Sequence, residues 1–252
     1  ALLKRANMLD CQFIATGHYA NVRQENGRYV VSRGLDTTKD QSYVLWGLSQ
    51  ESLARTLFPL GGFTKGQIRQ MAIERGYQDL ANKSESYEIC FVPDNDYRSF
   101  LKRNVEDLQD KVDGGNFVLS DGTILGKHKG YPFYTIGQRK GLEIALGEPM
   151  FVKEIVPESN TVVLGTKGEL YEKEMRVSDF NLIKYPKLPK DFQSLTKVRY
   201  KDGGTKATIN QTDEHLSVIF HEDVSAIAPG QSAVFYEGED LVGGGLIDRK
   251  KR

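Results

Sequence analysis

Cysteine is nearly absent from this sequence of 252 residues, which contains only Cys11 and Cys90. Two thiols in a chain of this length do not make a disulfide framework, which excludes the small disulfide-stabilised secreted proteins and favours the reducing cytoplasm. No apolar run approaches the length that a helix needs to cross a bilayer, and Lys4 and Arg5 follow the first three residues too closely for a signal peptide. We therefore expect a cytoplasmic protein with no membrane partner.

An excess of charge of either sign is also absent, because 34 lysines and arginines balance 34 aspartates and glutamates. Domains that bind nucleic acid nonspecifically are usually basic, so the composition argues against such a domain and is compatible only with a local basic stripe. The four histidines and two cysteines are scattered, without the close spacing of metal ligands, and we expect no metal among them.

The sequence has no initiator methionine, and its first nine residues read as the middle of an amphipathic helix without an N-cap. We therefore expect that an upstream part is missing. A short apolar strand at 11–16 follows and ends at Gly17 and His18. Helix, buried strand and glycine in this order are typical of a parallel α/β sheet, whose ligands bind at the carboxyl ends of the strands. Residues 1–48, with a hairpin across 25–27, are predicted to be the remnant of such a domain.

Residues 49–144 are predicted to form a small mixed α+β domain. Ser49 and Thr64 are suitable N-caps for helices at 50–57 and 65–75. The second helix is expected to bury one apolar face, formed by Ile68, Met71, Ala72 and Ile73. A helix at 97–103 and a hairpin at 116–125 complete this segment.

Residues 145–252 contain many short alternating runs separated by turn residues, which predicts a closed antiparallel β-barrel. The predicted strands lie at 151–156, 161–164, 195–200, 206–209, 216–220, 232–236 and 241–247. Glycines 243–245 fall within the last strand, where they indicate a bulge or a close approach of strands.

Cys90 stands between the apolar residues Ile89 and Phe91 and follows a polar segment at 83–88. A packed core residue and a reactive thiol are both compatible with this pattern, because free cysteine is commonly buried whereas reactive thiols occupy polar, electropositive sites. Cys11 lies within the first predicted strand and is expected to be buried. His18 is either a structural histidine or a ligand contact at the end of that strand.

Two segments carry paired cations. In the segment 135–142, Arg139 and Lys140 stand between glycines, which indicates either a solvated turn or a loop whose cations meet phosphates. Arg199, Tyr200 and Lys201 combine a stacking ring with two cations and suit a flipped or single-stranded base, although strands often carry such triplets without function. The chain contains no glycine loop of the kind that cradles phosphates.

Five segments together resemble one protein family. They are Ala-Thr-Gly-His-Tyr-Ala at 15–20, Lys-Asp-Gln-Ser-Tyr at 39–43, Ile-Cys-Phe-Val at 89–92, Tyr-Thr-Ile-Gly-Gln-Arg-Lys-Gly-Leu at 134–142 and Pro-Gly-Gln-Ser-Ala-Val at 229–234. Similar segments occur in this order in the bacterial tRNA-specific 2-thiouridylases. The resemblance covers nearly the whole chain, and five weak motifs in the right order are specific together.

The resemblance implies a fold and a reaction. The α/β part would belong to an adenine-nucleotide alpha hydrolase-like domain that binds ATP, with Mg²⁺ expected, and the C-terminal barrel would bind tRNA. ATP would adenylate O2 of the wobble uridine, and a cysteine persulfide would then deliver sulfur to give 2-thiouridine. The expected partners are tRNAs for lysine, glutamate and glutamine and a sulfur donor such as a cysteine desulfurase or a sulfur-relay protein. We expect a monomer.

The resemblance also assigns roles to residues. Cys90 matches the persulfide-bearing cysteine, which works with a second cysteine through a disulfide. Gly17 matches a residue that contacts ATP. The positions that match tRNA contacts are His18, Lys39, Asp40, Gln41, Arg199, Tyr200 and Gln231, to which the cations Arg139 and Lys140 are added from their sequence context.

The sequence departs from the family pattern in two respects. Tyr87, Glu88 and Ile89 before Cys90 are bulkier than the small residues that some relatives carry there, and the N-terminal part of the pattern is missing. The family opens with a Ser-Gly-Gly-Val-Asp-Ser type phosphate loop, and neither this loop nor the upstream segment with the first catalytic cysteine is present in this sequence. Cys11 does not match that cysteine. We therefore expect that this chain by itself neither hydrolyses ATP nor thiolates RNA. Two other readings stay open at this point: a tRNA-binding module without catalysis, and another ATP-pyrophosphatase that acts on a small molecule.

Overall fold

The structure, a computed structural model, describes residues 2–82, 92, 96–144 and 147–249. These residues fall into two compact units, each built from segments distant in sequence. The first comprises the described parts of 1–83, 173–222 and 229–252, and the second those of 84–172 and 223–228. The division into 1–48, 49–144 and 145–252 stays a prediction.

The described residues form six α-helices and fourteen β-strands. The helices are α1 Leu2–Met8, α2 Gln50–Ala54, α3 Lys65–Glu74, α4 Gln78–Asn82, α5 Tyr97–Asn104 and α6 Leu108–Val112. The strands are β1 Ile14–Ala15, β2 Ala20–Glu25, β3 Arg28–Arg33, β4 Thr56–Leu57, β5 Asn116–Leu119, β6 Ile124–Lys127, β7 Phe151–Val156, β8 Thr161–Gly165, β9 Tyr171–Leu182, β10 Phe192–Lys197, β11 Thr205–Gln211, β12 Leu216–Ser225, β13 Ser232–Glu237 and β14 Asp240–Ile247. Short 3₁₀ helices lie at Ser42–Leu45, Tyr131–Phe133, Pro157–Ser159 and Lys167–Leu170.

Six strands close into a ring in the order β13, β10, β11, β12, β9 and β14, because β13 also pairs with β14. The pairings β10–β11, β10–β13, β11–β12, β13–β14 and β9–β14 are antiparallel. Closure leaves these strands without an unpaired edge along the ring. The predicted antiparallel barrel is therefore confirmed. The assignment of the strands at 151–156 and 161–164 to it was wrong, because β7 and β8 pair with each other and β8 with β5 in a separate four-stranded sheet.

The hairpin β2–β3 extends the barrel sheet through β14, where Val31 pairs with Leu241. Its turn residues Asn26 and Gly27 have φ angles of 49° and 77°, which a two-residue hairpin turn of this kind requires. Val31 and Leu241 are fully buried in the same core cluster as Tyr236. The predicted hairpin is thus present, and it belongs to the barrel sheet.

The three glycines of β14 allow close packing against the strand. A Cβ atom on Gly244 would lie 2.7 Å from Cγ of Trp46 and 2.8 Å from the carbonyl oxygen of Ala233. One on Gly245 would lie 2.7 Å from the carbonyl oxygen of Ser178. The pairing of β14 with β9 also shifts its register after Gly244. The predicted bulge with close approach is confirmed.

The α/β part of the first unit contains one parallel strand pair, in which Ile14 of β1 faces Thr56 of β4. The strand predicted at 11–16 begins only at Ile14, because α1 ends at Met8 and Asp10 turns the chain with a φ of 52°. Cys11 therefore lies before the strand and is exposed, so the expectation that it is buried was wrong. The helix predicted at 50–57 ends at Ala54, since β4 follows and pairs with β1.

Helix α3 begins as predicted. The Thr64 hydroxyl accepts from the backbone N–H of Gln67, whose side chain accepts in turn from the backbone N–H of Thr64, a complete capping box. The predicted buried face is wrong, because α3 has no buried residue and Ile73 is 39% exposed. The apolar spacing predicted the helix itself, but the helix lies on the surface of its unit.

Two strand assignments differ from the sequence reading. Strand β9 has twelve residues and was not predicted; Asp179, with a φ of 45°, interrupts the alternation of its side chains. Strand β10 ends at Lys197, three residues earlier than predicted, which places Arg199 and Tyr200 in the turn that leads to β11.

The second unit contains a four-stranded sheet in the order β6, β5, β8, β7. The predicted hairpin is present as β5–β6, and Phe117, Phe133 and Leu164 form part of the core beneath the sheet. His128 is 3% exposed. Its Nδ1 accepts from the Gly130 N–H, so the neutral ring carries its proton on Nε2 and donates it to the Asn160 carbonyl. Burial lowers the pKa of this imidazole, which links the backbone of Gly130 to that of Asn160.

Candidate nucleic-acid interface

The Asp40 carboxylate organises the loop at 34–48, which carries three of the predicted tRNA contacts. It accepts hydrogen bonds from the Gly34 N–H at 3.2 Å, the Ser42 N–H at 3.1 Å and the Ser42 hydroxyl at 3.0 Å. Ser42 is fully buried, and its hydroxyl lies 3.0 Å from that of Tyr236. These bonds use both carboxylate oxygens, so the Asp40 side chain stabilises the conformation of the loop.

Gln41 connects this loop to the carboxyl end of β1. Its Oε1 accepts from the Tyr19 N–H at 3.1 Å, and its own N–H donates to the Tyr19 carbonyl at 2.9 Å. His18 precedes Tyr19, is half-buried, and lies with Nδ1 2.9 Å from the Thr16 hydroxyl and with its ring edge-on to Phe58. The predicted contacts at 17–18 and 39–41 are therefore brought together.

Tyr43 joins the loop to two other connections of the barrel. Its hydroxyl donates to the Ser232 carbonyl at 2.7 Å, next to the exposed Gln231. Its ring meets that of Tyr200 edge-on with centroids 5.8 Å apart. The Tyr200 hydroxyl donates to the Asp40 carbonyl at 3.1 Å. The structure thus gathers residues 39–41, 199–200 and 231 around one tyrosine.

Two aromatic residues that support this surface had been given no role from the sequence. Tyr43 is buried, which raises the pKa of its phenol to about 12, so the hydroxyl keeps its proton even at mildly alkaline pH. The Trp46 Nε1–H donates to the Ser232 hydroxyl at 3.0 Å. Tyr43 ends the motif at 39–43 and Trp46 follows it by three residues, but no local pattern shows which strands they reach.

The exposure of the gathered residues suits contact with a large polyanion. Arg199 and Gln231 are exposed, and Lys39 is half-buried. Tyr200 is 44% exposed, so part of its ring is open to a stacking partner while Tyr43 supports the rest. Cations beside an accessible aromatic ring are the combination that proteins use for unpaired bases and their phosphates.

Arg139 and Lys140 lie in the second unit, in a turn built by Gln138. The Gln138 Oε1 accepts from the Thr135 N–H at 3.0 Å, and its Nε2 donates to the Lys140 carbonyl at 2.9 Å. Gly137, with a φ of 84°, donates its N–H to the Val152 carbonyl at 2.8 Å. The turn is therefore fixed to β7, and both cations are exposed.

The residues present do not by themselves make a site for ATP and Mg²⁺. Gly17 is exposed at the carboxyl end of β1, and among the described residues other than its chain neighbours only Leu60 Cδ1 lies within 4 Å of a Cβ placed there, so a ligand has room to approach. The chain supplies no phosphate loop, and the described residues hold no cluster of three or more acidic, histidine or cysteine side chains for a metal ion.

Cys90, the predicted persulfide residue, lies outside the described residues. Its assignment stays a prediction from the segment 89–92. No helix among the described residues has the length and apolar character to span a membrane.

Three family models match the chain in succession. Residues 1–94 match a tRNA methyl transferase HUP domain, residues 98–166 a tRNA methyl transferase PRC-barrel domain, and residues 172–247 an aminomethyltransferase beta-barrel domain. The α/β part, the four-stranded sheet of the second unit and the closed barrel agree with this order.

Similar curated proteins share a name that is more specific. The chain is 62% identical over 248 residues to the tRNA-specific 2-thiouridylase MnmA of Cytophaga hutchinsonii, 60% over 248 residues to that of Amoebophilus asiaticus and 56% over 250 residues to that of Salinibacter ruber. Each match covers 98% of this chain and 67%, 66% and 65% of the relative, so the chain spans about two thirds of their length. This chain belongs to the family of the tRNA-specific 2-thiouridylases MnmA.

Proposed function

We propose that this chain is the tRNA-binding and sulfur-delivering part of a tRNA 2-thiouridylase. In the complete reaction, ATP-dependent adenylation of O2 of the wobble uridine would precede transfer of sulfur from a persulfide on Cys90. Among the residues of this chain, the loop 34–48 and the turn at 199–200 would hold tRNA, and Gly17 would face the nucleotide. The proposal rests on the identity with the curated relatives over nearly the whole chain.

One observation supports the RNA contacts independently of these names. Positions 40, 200 and 232 are far apart in sequence, yet Tyr43 and the Tyr200 hydroxyl bring them to one surface. A module that binds only a small molecule would hold it in an enclosed cavity. It would not need an exposed ring flanked by cations. This arrangement therefore favours RNA over a small amide or acid as the substrate.

The experiment that tests the reaction is tRNA thiolation by the full-length gene product, with ATP and a persulfide donor. Wild type is expected to form 2-thiouridine, and Cys90→Ser is expected to form none while it still binds tRNA, because serine cannot carry a persulfide. Full activity of Cys90→Ser would show that this thiol is only packed in the protein. Tight tRNA binding by a wild type that forms no product with any persulfide donor would favour the binding module.

Five further points belong to the same proposal. They are the tRNA set for lysine, glutamate and glutamine, the identity of the sulfur donor, the monomeric state, the need for Mg²⁺ and the inactivity of the 252-residue chain by itself. Two of the matching family models are described as domains of a tRNA methyl transferase. The thiolation assay distinguishes sulfur transfer from methyl transfer, because it detects sulfur in the product.

A further inference from the structure

Two cationic side chains of the first unit converge on one aromatic ring. Cζ of Arg33 lies 4.4 Å from the centroid of the Tyr236 ring, and Nζ of Lys197 lies 5.8 Å from it. Tyr236 is fully buried, so its position is set by the barrel core. Neither cation had been given a role from the sequence.

The strand register explains why these side chains meet. Tyr236 pairs with Leu195 of β10 on one side and with Leu241 of β14 on the other, and Leu241 pairs with Val31 of β3. Directly paired residues, and residues two apart on one strand, point to the same face of a sheet. Arg33, two residues after Val31, and Lys197, two residues after Leu195, therefore share the face of Tyr236.

Hydrogen bonds within the described residues do not satisfy the Arg33 guanidinium. Its Nε and Nη2 are buried without a partner there, and the side chain is 18% exposed. Nη1 lies 3.8 Å from Oε2 of Glu239, which is too far for a hydrogen bond, and the Glu239 side chain is 70% exposed. The guanidinium thus packs against the ring, and Nη1 is the nitrogen that a ligand can reach.

The nearby carboxylates pair only weakly with the two cations, because Glu239 forms a long ion pair of 3.8 Å with Arg33 and is itself largely exposed. Asp40 is occupied within its loop, and Asp202 accepts from the N–H groups of Val198 at 3.0 Å and Gly204 at 3.2 Å. Lys197 forms no ion pair with a described residue. Burial first and the charge of Arg33 second lower the pKa of its ammonium group. Two cations that contact one ring and raise each other's electrostatic energy favour an anion beside them.

We propose that Arg33 and Lys197 bind a phosphodiester group of the RNA backbone. This inference rests on the proposed function, since it adds a phosphate site next to the loop that carries residues 39–41. A guanidinium edge and an ammonium group are the donors that proteins use for phosphate oxygens. Glu239 is the weak internal competitor that a phosphate displaces from Nη1.

The test is tRNA binding by the 252-residue chain at several salt concentrations, with wild type, Arg33→Gln, Lys197→Gln and the control Lys190→Gln. Lys190 is an exposed lysine just before the start of β10, whereas Lys197 is the last residue of this strand. Each of the first two substitutions is expected to weaken binding by about three- to tenfold at fixed salt and to reduce the slope of log K against log salt by about one. Glu239→Gln is expected to tighten binding. Folded Arg33→Gln and Lys197→Gln variants that keep the wild-type slope would overturn the proposal.

A second measurement separates this site from the proposed function and does not depend on a variant that folds. The Arg33 Nε–H resonance of the wild type is followed by NMR during titration with inorganic phosphate and then with tRNA. A shift with both is expected. A shift with phosphate in a chain that does not bind tRNA would leave the anion site standing and remove the RNA assignment. No shift with either would remove the site.

Discussion

At the scale of single residues, Tyr43 and Tyr200 decide how the candidate interface is built. Tyr43 is buried and bonded to the Ser232 carbonyl, whereas Tyr200 is half-exposed and rests on Tyr43. The first ring is therefore a support and the second is the surface that a base can reach. A stacked base–aromatic pair contributes about 1–3 kcal/mol to binding.

This arrangement predicts different results for two substitutions at position 200. Tyr200→Ala should weaken tRNA binding by about tenfold, because the stacking face is lost. Tyr200→Phe should keep most of the affinity, since it loses only the hydroxyl that donates to the Asp40 carbonyl at 3.1 Å. Filter binding at constant salt measures both. Unchanged affinity in Tyr200→Ala would show that no base stacks there.

At the scale of secondary-structure elements, Glu169 ties three parts of the second unit together. Its carboxylate accepts from Lys153 of β7 at 2.9 Å, from the Thr166 N–H at the start of a 3₁₀ helix at 2.8 Å, and from the Ser120 hydroxyl in the turn after β5 at 2.8 Å. The Lys153 ammonium, followed by the other two donors, lowers the pKa of Glu169 to about 2.

The lowered pKa predicts a pH dependence of stability. The folded state favours the carboxylate, so this contribution is complete above the ordinary glutamate pKa and is lost as pH falls towards 2. Glu169→Gln should lower the free energy of unfolding at pH 7 by about 0.5 kcal/mol, the size typical of a partly exposed ion pair.

Urea unfolding between pH 7 and pH 3 checks this prediction. The difference between wild type and Glu169→Gln should shrink as the pH falls. Glu148→Gln, which alters an exposed carboxylate of the same unit, should unfold like wild type. A difference for Glu169→Gln that stays constant with pH would contradict the assigned ion pair.

At the scale of the whole molecule, the absence of net charge would limit how the chain holds tRNA, its proposed partner. With 34 charges of each sign, phosphate contacts must come from local groups of cations. Such groups exist in both units: Arg199 lies in the first, and Arg139 with Lys140 in the second. Binding through a few local contacts should be moderate in affinity and strongly dependent on salt.

We therefore expect Arg199→Ala and Lys140→Ala each to weaken tRNA binding by about threefold and to flatten its salt dependence. Lys187→Ala removes an exposed lysine from the connection between β9 and β10 and should bind like wild type. Gel shifts across a salt series measure all three. If both interface variants kept wild-type affinity, the RNA surface proposed here would be wrong.

Local features of the fold were readable from the sequence because neighbouring residues determine them. The turn at Asn26 and Gly27 needs two positive φ angles, and the cap at Thr64 needs a hydroxyl three residues before Gln67. The alternating runs predicted the barrel strands for the same reason. The surface position of Ile73 and the long strand β9 depend on what packs against them, and neither was predicted.

The sequence by itself determined the family, the barrel and the residues that carry the resemblance, since these depend on local motifs and on a period of two. Only the tertiary structure decided which of them meet. The bond from Tyr43 to Ser232 joins positions 189 residues apart, and that from Tyr200 to Asp40 joins positions 160 apart. Contacts of this kind arise when the barrel closes and β3 joins it, which also places Arg33 and Lys197 over one ring. No short segment encodes them, because each partner contributes only half of the contact.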